Sequence, residues 1–322
     1  MLLKALTRIF ANPLSGVLAA LVIIFIGSSL ISGNFLSPYN MTIIARAMAF
    51  VGLVTIGQAM LMTLGELDLS LGAIGGLCGV IGGLLMVNLG LNPYLAFAIA
   101  LVLGAVLGLL NGLLVTLLRL PSLVLTIGMA GVYGGLNLVI TKGVAITDIP
   151  TAIAVLGRGV YFGIPVPFMI MAVMLAVAMF VTQKTPFGRY MYAIGNNNAA
   201  ARMLGVRVNR VRVLIFGAAG FLSALAGMLM VARLGSAQPS IGDSWVLAPI
   251  AAAVIGGVPT TGGLGNPFGA ILGAAIIGII ENIIVLVGIS PYWQSVVSGA
   301  IVVIAIAFDS IARRYLRKDI VT

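Results

Sequence analysis

Long runs of apolar, uncharged residues, many of them close to 20 residues in length, make up most of this sequence. The segments 14–31 and 93–118, for example, contain no charged residue. A helix needs about 20 predominantly apolar residues to cross the hydrocarbon core of a bilayer. Only 7% of the 322 residues are charged and 61% are hydrophobic, which leaves too few charges to solvate a soluble protein of this size. The sequence therefore predicts an all-α, polytopic transmembrane helix bundle that forms a single domain, residues 1–322.

We predict about ten membrane-spanning segments from the positions of the apolar runs. They cover residues 14–31, 41–64, 69–87, 93–118, 122–141, 166–182, 213–234, 245–258, 267–287 and 293–311. The eighth run is short for a full crossing and leads into a Gly-rich stretch that ends at Gly265. Segment 245–266 is therefore predicted to be broken or re-entrant.

The basic residues predict which side of the membrane holds the termini. An even number of spans places both termini on one side, and Lys and Arg collect on the cytoplasmic side. With the N terminus cytoplasmic, 13 of the 17 basic residues fall in the inner segments, so both termini are predicted to be cytoplasmic. This bias accounts for the net charge of +10, and we expect the lipid bilayer as a partner and no nucleic acid. The thirteen are Lys4, Arg8, Arg119, Lys184, Arg189, Arg202, Arg207, Arg210, Arg212, Arg313, Arg314, Arg317 and Lys318.

Several kinds of chemistry are excluded by residues that the sequence lacks. It contains no His, which removes the commonest general base and metal ligand. The single cysteine, Cys78, permits neither an intrachain disulfide nor a thiolate zinc site. No G-x-x-x-x-G-K-[ST] motif for ATP occurs. We therefore expect a chain that is not an enzyme and that holds no catalytic residue, cofactor or metal.

Glycines spaced four residues apart predict where helices pack closely. Tandem G-x-x-x-G patterns occur at Gly104, Gly108 and Gly112 and at Gly265, Gly269 and Gly273, and a single copy at Gly131 and Gly135. Small residues let helix backbones approach each other within a membrane.

A few polar side chains fall within or beside the predicted spans. Candidates for lining a translocation path are Gln58, Asn111, Asn137 and Asn282, with hydrogen bonds between helices as the alternative role. Glu281 is a carboxylate deep in a predicted span. Near the end of the second span, Glu66, Asp68 and Ser70 form a polar turn. Asp68 is predicted to cap the next helix, and a proton relay between the two carboxylates is the alternative.

Residues 183–212 form the most informative polar segment, with six basic residues and no acidic one. Asn196–Asn198 can act as the N-cap of a short Ala-rich helix, and Gly205 provides its end. A short capped helix on the cytoplasmic face suits the docking of a soluble partner. The alternative is a topological loop held by its charge.

Four motifs, in order along residues 65–273, together resemble the ABC-importer permeases of the ribose, galactose and autoinducer-2 class. They are Gly65-Glu66-Leu67-Asp68-Leu69-Ser70-Leu71-Gly72; Asn111-Gly112-x-Leu114-Val115 with Leu120-Pro121-Ser122-x-Val124-x-Thr126-x-Gly128; Phe187-Gly188-Arg189 with Ala193-Ile194-Gly195-x-Asn197, Ala200-Ala201-Arg202 and Gly205-Val206; and Ile255-Gly256-Gly257 through Gly262-Gly263-x-Gly265 to Gly269. Glu66 departs from the family pattern, which usually has Gly there, and Val258-Pro259-Thr260 replaces small polar residues.

The resemblance implies a fold, a set of partners and an activity. The fold would be the type II permease architecture of the vitamin-B12 importer, and a second permease subunit, identical or paralogous, would complete the channel. A cytoplasmic ABC ATPase would hydrolyse ATP and dock on the coupling loop 183–212, and a periplasmic sugar-binding protein would deliver a monosaccharide or related polyol-like solute. The chain would lie in the bacterial inner membrane. The residues that match the coupling motif are Arg189, Gly195, Asn197, Ala201, Arg202 and Gly205.

Two other functions stay open from the residues alone. An ion-gradient-driven secondary transporter would use a midplane carboxylate and a broken helix, for which Glu281 and segment 245–266 are the only support. An intramembrane enzyme would need a catalytic group, and Asp243 lies in a predicted outer loop where a G-x-G-D motif is incomplete.

Overall fold

The computed structural model describes residues 13–290, 292–294, 296–301, 303–304 and 307. Its helices are α1 (Pro13–Ile31), α2 (Pro38–Leu64), α3 (Leu71–Val87), α4 (Pro93–Leu118), α5 (Ser122–Thr141), α6 (Ala154–Arg158), α7 (Val166–Lys184), α8 (Pro186–Asn196), α9 (Asn198–Met203), α10 (Val208–Leu234), α11 (Ala248–Ile255) and α12 (Pro267–Leu286). Short 3-10 helices occupy Thr151–Ile153 and Asp243–Trp245, and strands β1 (Val160–Tyr161) and β2 (Ile164–Pro165) form a small antiparallel hairpin. Residues 293–294 and 296–301 are also helical.

The architecture confirms the predicted all-α, polytopic bundle. Seven of the described helices are long and apolar enough to cross a membrane, namely α1, α2, α4, α5, α7, α10 and α12. α3 and the stretch Asp243–Ile255 are shorter apolar helices. α4 and α5 have the predicted bounds, whereas α10 begins at Val208, before the predicted start at residue 213. Its first turns carry Arg210 and Arg212, so hydropathy alone places the start too late.

The bundle has two chemically different ends. The basic end carries Arg119, Lys184, Arg189, Arg202, Arg207, Arg210 and Arg212, and it contains the C-terminal end of α4 and the N-terminal end of α10. The end opposite contains the β1–β2 hairpin. The termini that were predicted to be cytoplasmic, residues 1–12 and 308–322, lie outside the described residues.

The antiparallel pair of α4 and α10 forms the centre of the bundle. Gly104, Gly108 and Gly112 of α4 meet α10 at successive turns, and a Cβ at Gly108 would overlap the carbonyl oxygen of Phe216. These glycines therefore allow the backbones into contact, as the spacing predicts. The single pair in α5 makes no such contact within the described chain, where a Cβ at Gly131 or Gly135 would meet no atom within 4 Å.

The chain between α10 and α12 passes from one end of the bundle to the other without a continuous helix. At the end opposite the basic end, Ala237 and Ile146 exchange two backbone hydrogen bonds of 2.8 and 3.0 Å. The chain then passes beside α3, where Gly72 allows close backbone contact, and forms the short α11. At the basic end the N–H of Gly263 donates to the carbonyl oxygen of Thr63, 2.8 Å away. The predicted break is confirmed, and the segment does not turn back.

Candidate functional site

A buried network of polar side chains holds the turn between α2 and α3. Asp68 Oδ1 accepts hydrogen bonds from the backbone N–H of Ser70 at 2.7 Å and from its hydroxyl at 2.6 Å. Asn111 Nδ2 in α4 donates to Asp68 Oδ2 at 3.2 Å and to Ser70 Oγ at 2.7 Å. Tyr133 of α5 donates its hydroxyl to Asn111 Oδ1 at 2.9 Å. All four side chains are buried, so the network ties the turn to α4 and α5.

The two carboxylates of this turn have separate partners. Glu66 Oε1 accepts a hydrogen bond from Arg212 Nε at 2.7 Å in a half-buried ion pair, whereas Asp68 bonds Ser70 and Asn111. No hydrogen bond links the carboxylates in the part of the chain that the structure describes, which gives the proton-relay alternative no support. Asp68 accepts from the N–H of Ser70, the residue immediately before α3, and not from an N–H inside that helix. Asp68 thus lies near the start of α3, as predicted, but it does not cap the helix.

The four candidate path residues occupy different environments. Asn111 belongs to the network, and Asn137 donates from Nδ2 to the carbonyl oxygen of Pro239 at 2.9 Å, which fixes the irregular segment after α10. Gln58 is 1% exposed, and neither atom of its amide group has a partner in the described chain. Asn282 forms a reciprocal amide pair with Asn40 at 2.8 and 3.0 Å. The structure thus places Asn111 and Asn137 as contacts between elements and brings only Asn282 to a described cavity.

That cavity has a volume of about 830 Å³ and lies at the end opposite the basic end. Glu281 and Asn282 of α12 line it together with Asn40, Tyr39 and Arg233. Glu281 Oε1 accepts a hydrogen bond from the hydroxyl of Ser298 at 2.8 Å, which supplies a partner that the sequence does not reveal. Its lining of amides, one carboxylate and one guanidinium gives the cavity the donors and acceptors that hydroxyl-rich solutes need.

The predicted coupling segment, residues 183–212, contains two helices, α8 and α9, at the basic end. Asn197 caps α9 by accepting the N–H of Ala200 at its side-chain oxygen, 3.0 Å away, as the sequence predicts. Gly205, with φ of 81°, follows the end of α9 in the left-handed conformation. Of the other residues that match the motif, Ala201 is a buried residue of α9, and Arg202 is exposed and donates to Asn198 at 3.2 Å. Arg189 on α8 is exposed as well.

α8 packs against the basic ends of two other segments. A Cβ at Gly195 would overlap the carbonyl oxygen of Thr63, so α8 lies directly on the last turn of α2. Tyr192 donates its hydroxyl to the carbonyl oxygen of Gly265 at 2.8 Å, and Asn196 Nδ2 donates to that of Gly263 at 3.1 Å. Burial raises the pKa of Tyr192, so the hydroxyl keeps its proton at neutral pH and remains a donor. α8 therefore connects residues 183–212, to which it belongs, with α2 and with the Gly-rich stretch before α12.

Two apolar residues at the tip of the coupling segment are absent from the sequence-based candidates. Met203 and Leu204 are 89% and 82% exposed at the end of α9. Their signal in the sequence is modest: two long apolar residues after a run of alanines, between Arg202 and Gly205. Exposed apolar side chains on a polar, basic surface are typical of a protein-binding site.

Comparisons with known proteins give the family. A family model described as branched-chain amino acid transport system / permease component matches residues 40–306. The chain belongs to this permease family. The ribose import permease protein of Bacillus subtilis (strain 168) is 40% identical over 296 residues, which are 91% of this chain and 92% of the relative. The ribose import permease protein of Escherichia coli (strain K12) is 32% identical over 308 residues, 94% and 95% of the two chains.

A third relative is a permease of an autoinducer-2 import system, the other transporter type in the resemblance that the motifs carry. The autoinducer 2 import system permease protein of Yersinia enterocolitica (serotype O:8 / biotype 1B, strain NCTC 13174 / 8081) is 34% identical over 304 residues, which are 94% of this chain and 84% of the relative. No solved structure matches this chain. The relatives confirm the resemblance to the ribose and autoinducer-2 class of permeases, and with the seven apolar helices they identify a multi-pass membrane protein. Membership of this class favours an importer subunit over the ion-gradient alternative.

Proposed function

We propose that this chain forms half of the channel of an ATP-driven ABC importer in the bacterial inner membrane. Its solute is a monosaccharide or a related polyol-like molecule that a periplasmic binding protein delivers. The support is the likeness, over nearly the whole chain, to permeases that import ribose and autoinducer 2. A second permease subunit, identical or paralogous, completes the channel, and a separate ABC ATPase hydrolyses the ATP. The chain itself is then not catalytic and needs no cofactor.

The proposed topology has ten crossings with the basic end in the cytoplasm. To the seven long helices we add α3, the discontinuous segment 236–266 and the stretch that includes helical residues 293–294 and 296–301. α1 begins at the basic end, where Leu14 lies near Gly269 at the start of α12, and an even number of crossings returns the chain to that end. A type II architecture, as in the vitamin-B12 importer, is consistent with this arrangement.

The observation that carries the coupling role is the exposed apolar pair Met203 and Leu204 at the tip of α9. We propose that the ATPase docks here, with Arg202 and Arg189 on the surrounding surface. A displacement of α9 would be passed to α8 and, through Gly195, Tyr192 and Asn196, to the end of α2 and the Gly-rich stretch before α12.

The test is to replace Leu204 with Glu and to measure which proteins a tagged chain captures from its own cells. We expect the wild-type chain to capture an ABC ATPase, and Leu204→Glu to reduce this capture at least tenfold, because it places a charge in an apolar contact. Phe162→Glu is the matched control, since Phe162 is fully exposed on the β1–β2 hairpin at the opposite end. Equal capture by all three chains would contradict the docking site.

Solute uptake separates the importer from the ion-gradient alternative. In vesicles that contain the complete transport system, uptake should require ATP and should continue when a protonophore collapses the proton gradient at constant ATP. Uptake that stops with the protonophore and ignores ATP depletion would contradict the proposed function.

A further inference from the structure

A cleft of about 840 Å³ lies at the basic end between the C-terminal end of α4 and the N-terminal end of α10. Three guanidinium groups line it, those of Arg119, Arg202 and Arg212, and Glu66 is its one carboxylate. The ion pair between Glu66 and Arg212 neutralises one positive charge. Three positive charges less one negative charge leave the lining at +2, so the cleft favours an anion.

Several side chains that line this cleft have donor groups that are not used in hydrogen bonds to the described chain. Arg119 has no hydrogen bond or ion pair among the described residues, and Arg202 contacts only the neutral amides of Asn198 and Asn209, at 3.2 and 3.5 Å. The hydroxyl of Thr116 is buried without a partner in the described chain. A buried polar atom that lacks a partner is costly unless a ligand or water satisfies it.

The backbone at Arg119 determines where its side chain leaves the end of α4. Arg119 ends α4 in the left-handed conformation, with φ of 56°. Glycine adopts this conformation without steric cost and ends α2 and α10 at Gly65 and Gly235. Arg119 ends α4 as Lys142 ends α5, in the conformation that glycine favours, and its side chain lines the cleft.

The same cleft reaches the apolar flank of the bundle. Leu117 and Leu120 line it and are 66% and 43% exposed, and Leu118, which follows Leu117 at the end of α4, is 55% exposed. In a membrane protein, exposed leucines at the end of a spanning helix contact acyl chains. The cleft therefore joins an anion-binding surface to a lipid-contacting one.

We propose that the cleft binds the headgroup of an anionic phospholipid. Its phosphate lies between Arg119 and Arg202, within reach of the Thr116 hydroxyl, and its acyl chains extend along the leucines of α4. Arg119 belongs to α4 and Arg202 to α9, so the lipid ties the coupling segment to the bundle. This inference concerns the isolated chain and does not depend on the importer's ATPase or solute.

Binding of phosphatidylglycerol to the purified chain, measured by native mass spectrometry in detergent, tests the proposal. Each guanidinium near an anionic lipid contributes about a fivefold gain in affinity, so Arg119→Gln with Arg202→Gln should weaken binding by about 25-fold. The matched control is Lys184→Gln with Arg189→Gln, which removes the same charge at the basic end from residues that do not line the cleft. It should change binding less than threefold.

Glu66→Gln distinguishes electrostatic binding from damage to the fold. Release of Arg212 from its ion pair raises the charge of the cleft, so this variant should bind phosphatidylglycerol about fivefold more tightly. A loss of binding in Glu66→Gln similar to that in the double variant would overturn the proposal. Every variant is first checked for the elution volume and thermal unfolding midpoint of the wild-type chain.

Two further ligands identify the occupant. Phosphatidylcholine should bind at least tenfold more weakly than phosphatidylglycerol, because its headgroup has no net charge. Inorganic phosphate should not displace phosphatidylglycerol at equal concentration, since it lacks the acyl chains. Displacement by phosphate would overturn the lipid assignment in favour of a free anion. Unchanged lipid binding in the double variant would overturn the proposal, and a simultaneous loss of a captured protein would assign the two arginines to a protein contact instead.

Discussion

At the scale of single residues, the polar side chains of this membrane protein are distinguished by their partners. Asn111 contacts Asp68, Ser70 and Tyr133, whereas Gln58 has no partner among the described residues, although both lie in apolar helices. Removal of a group from a satisfied buried network leaves its partners without hydrogen bonds, and that cost exceeds the loss of one contact. Asn111 is therefore a stabilising residue.

Asn111→Leu should lower the free energy of unfolding by about 1–3 kcal/mol, because Asp68 Oδ2 and the Tyr133 hydroxyl lose their partner in a buried site. The measurement is the thermal unfolding midpoint of the purified chain in detergent. Asn88→Leu makes the same exchange at an exposed residue after α3 and serves as the control. Equal midpoints for the two variants would show that the network contributes no stability.

At the scale of elements, the position of α8 is decided by a contact too close for any side chain. Gly195 lies on the carbonyl oxygen of Thr63, while Tyr192 and Asn196 hold the Gly-rich stretch. These contacts make α8 a rigid connection between α9 and the two segments it touches. A change that separates α8 from α2 should therefore impair coupling more than folding.

Gly195→Ala tests this connection. Its Cβ would overlap the Thr63 carbonyl, and overpacking of this kind costs about 1–3 kcal/mol, so we expect ATP-driven uptake to fall at least about fivefold. Gly131→Ala is the matched control, since a Cβ there meets no atom of the described chain within 4 Å. Uptake is measured at equal amounts of chain in the membrane. Wild-type uptake by Gly195→Ala would rule out this coupling route.

At the scale of the whole molecule, the distribution of charge and the path of the chain both support the proposed orientation. The basic end contains the coupling segment, and the opposite end contains the β1–β2 hairpin and the cavity at Glu281. Cys78 is the only cysteine and is fully buried, so Cys78→Ser provides a background for labelling of single cysteines.

In that background, Phe162→Cys and Leu204→Cys report on opposite ends of the bundle. Both positions are highly exposed, at 102% and 82%. We expect a membrane-impermeant maleimide to label residue 162 in intact spheroplasts and to label residue 204 only after the membrane is permeabilised. Labelling of residue 204 alone in intact spheroplasts would reverse the proposed orientation.

Much of the fold follows from local features of the sequence. Apolar runs of about 20 residues predict membrane helices, which is why the bounds of α4 and α5 match, and an Asn before a run of alanines predicts the capped α9. The motifs of the coupling segment and of the two turns predict the permease class, and the relatives confirm it. These features depend on residues that are neighbours in the sequence, so the sequence alone is enough to predict them.

Contacts between distant parts of the chain were decided only by the tertiary structure. The ion pair of Glu66 with Arg212 joins residues 146 positions apart, and the pair of Asn40 with Asn282 joins residues 242 apart. No periodicity encodes such pairings, so the sequence could not show which polar residue reaches a cavity or that segment 236–266 runs from end to end. The sequence determined a basic, apolar bundle with a capped helix α9, because hydropathy and capping act locally. The tertiary structure decided which of its few polar groups meet, because packing brings remote residues together.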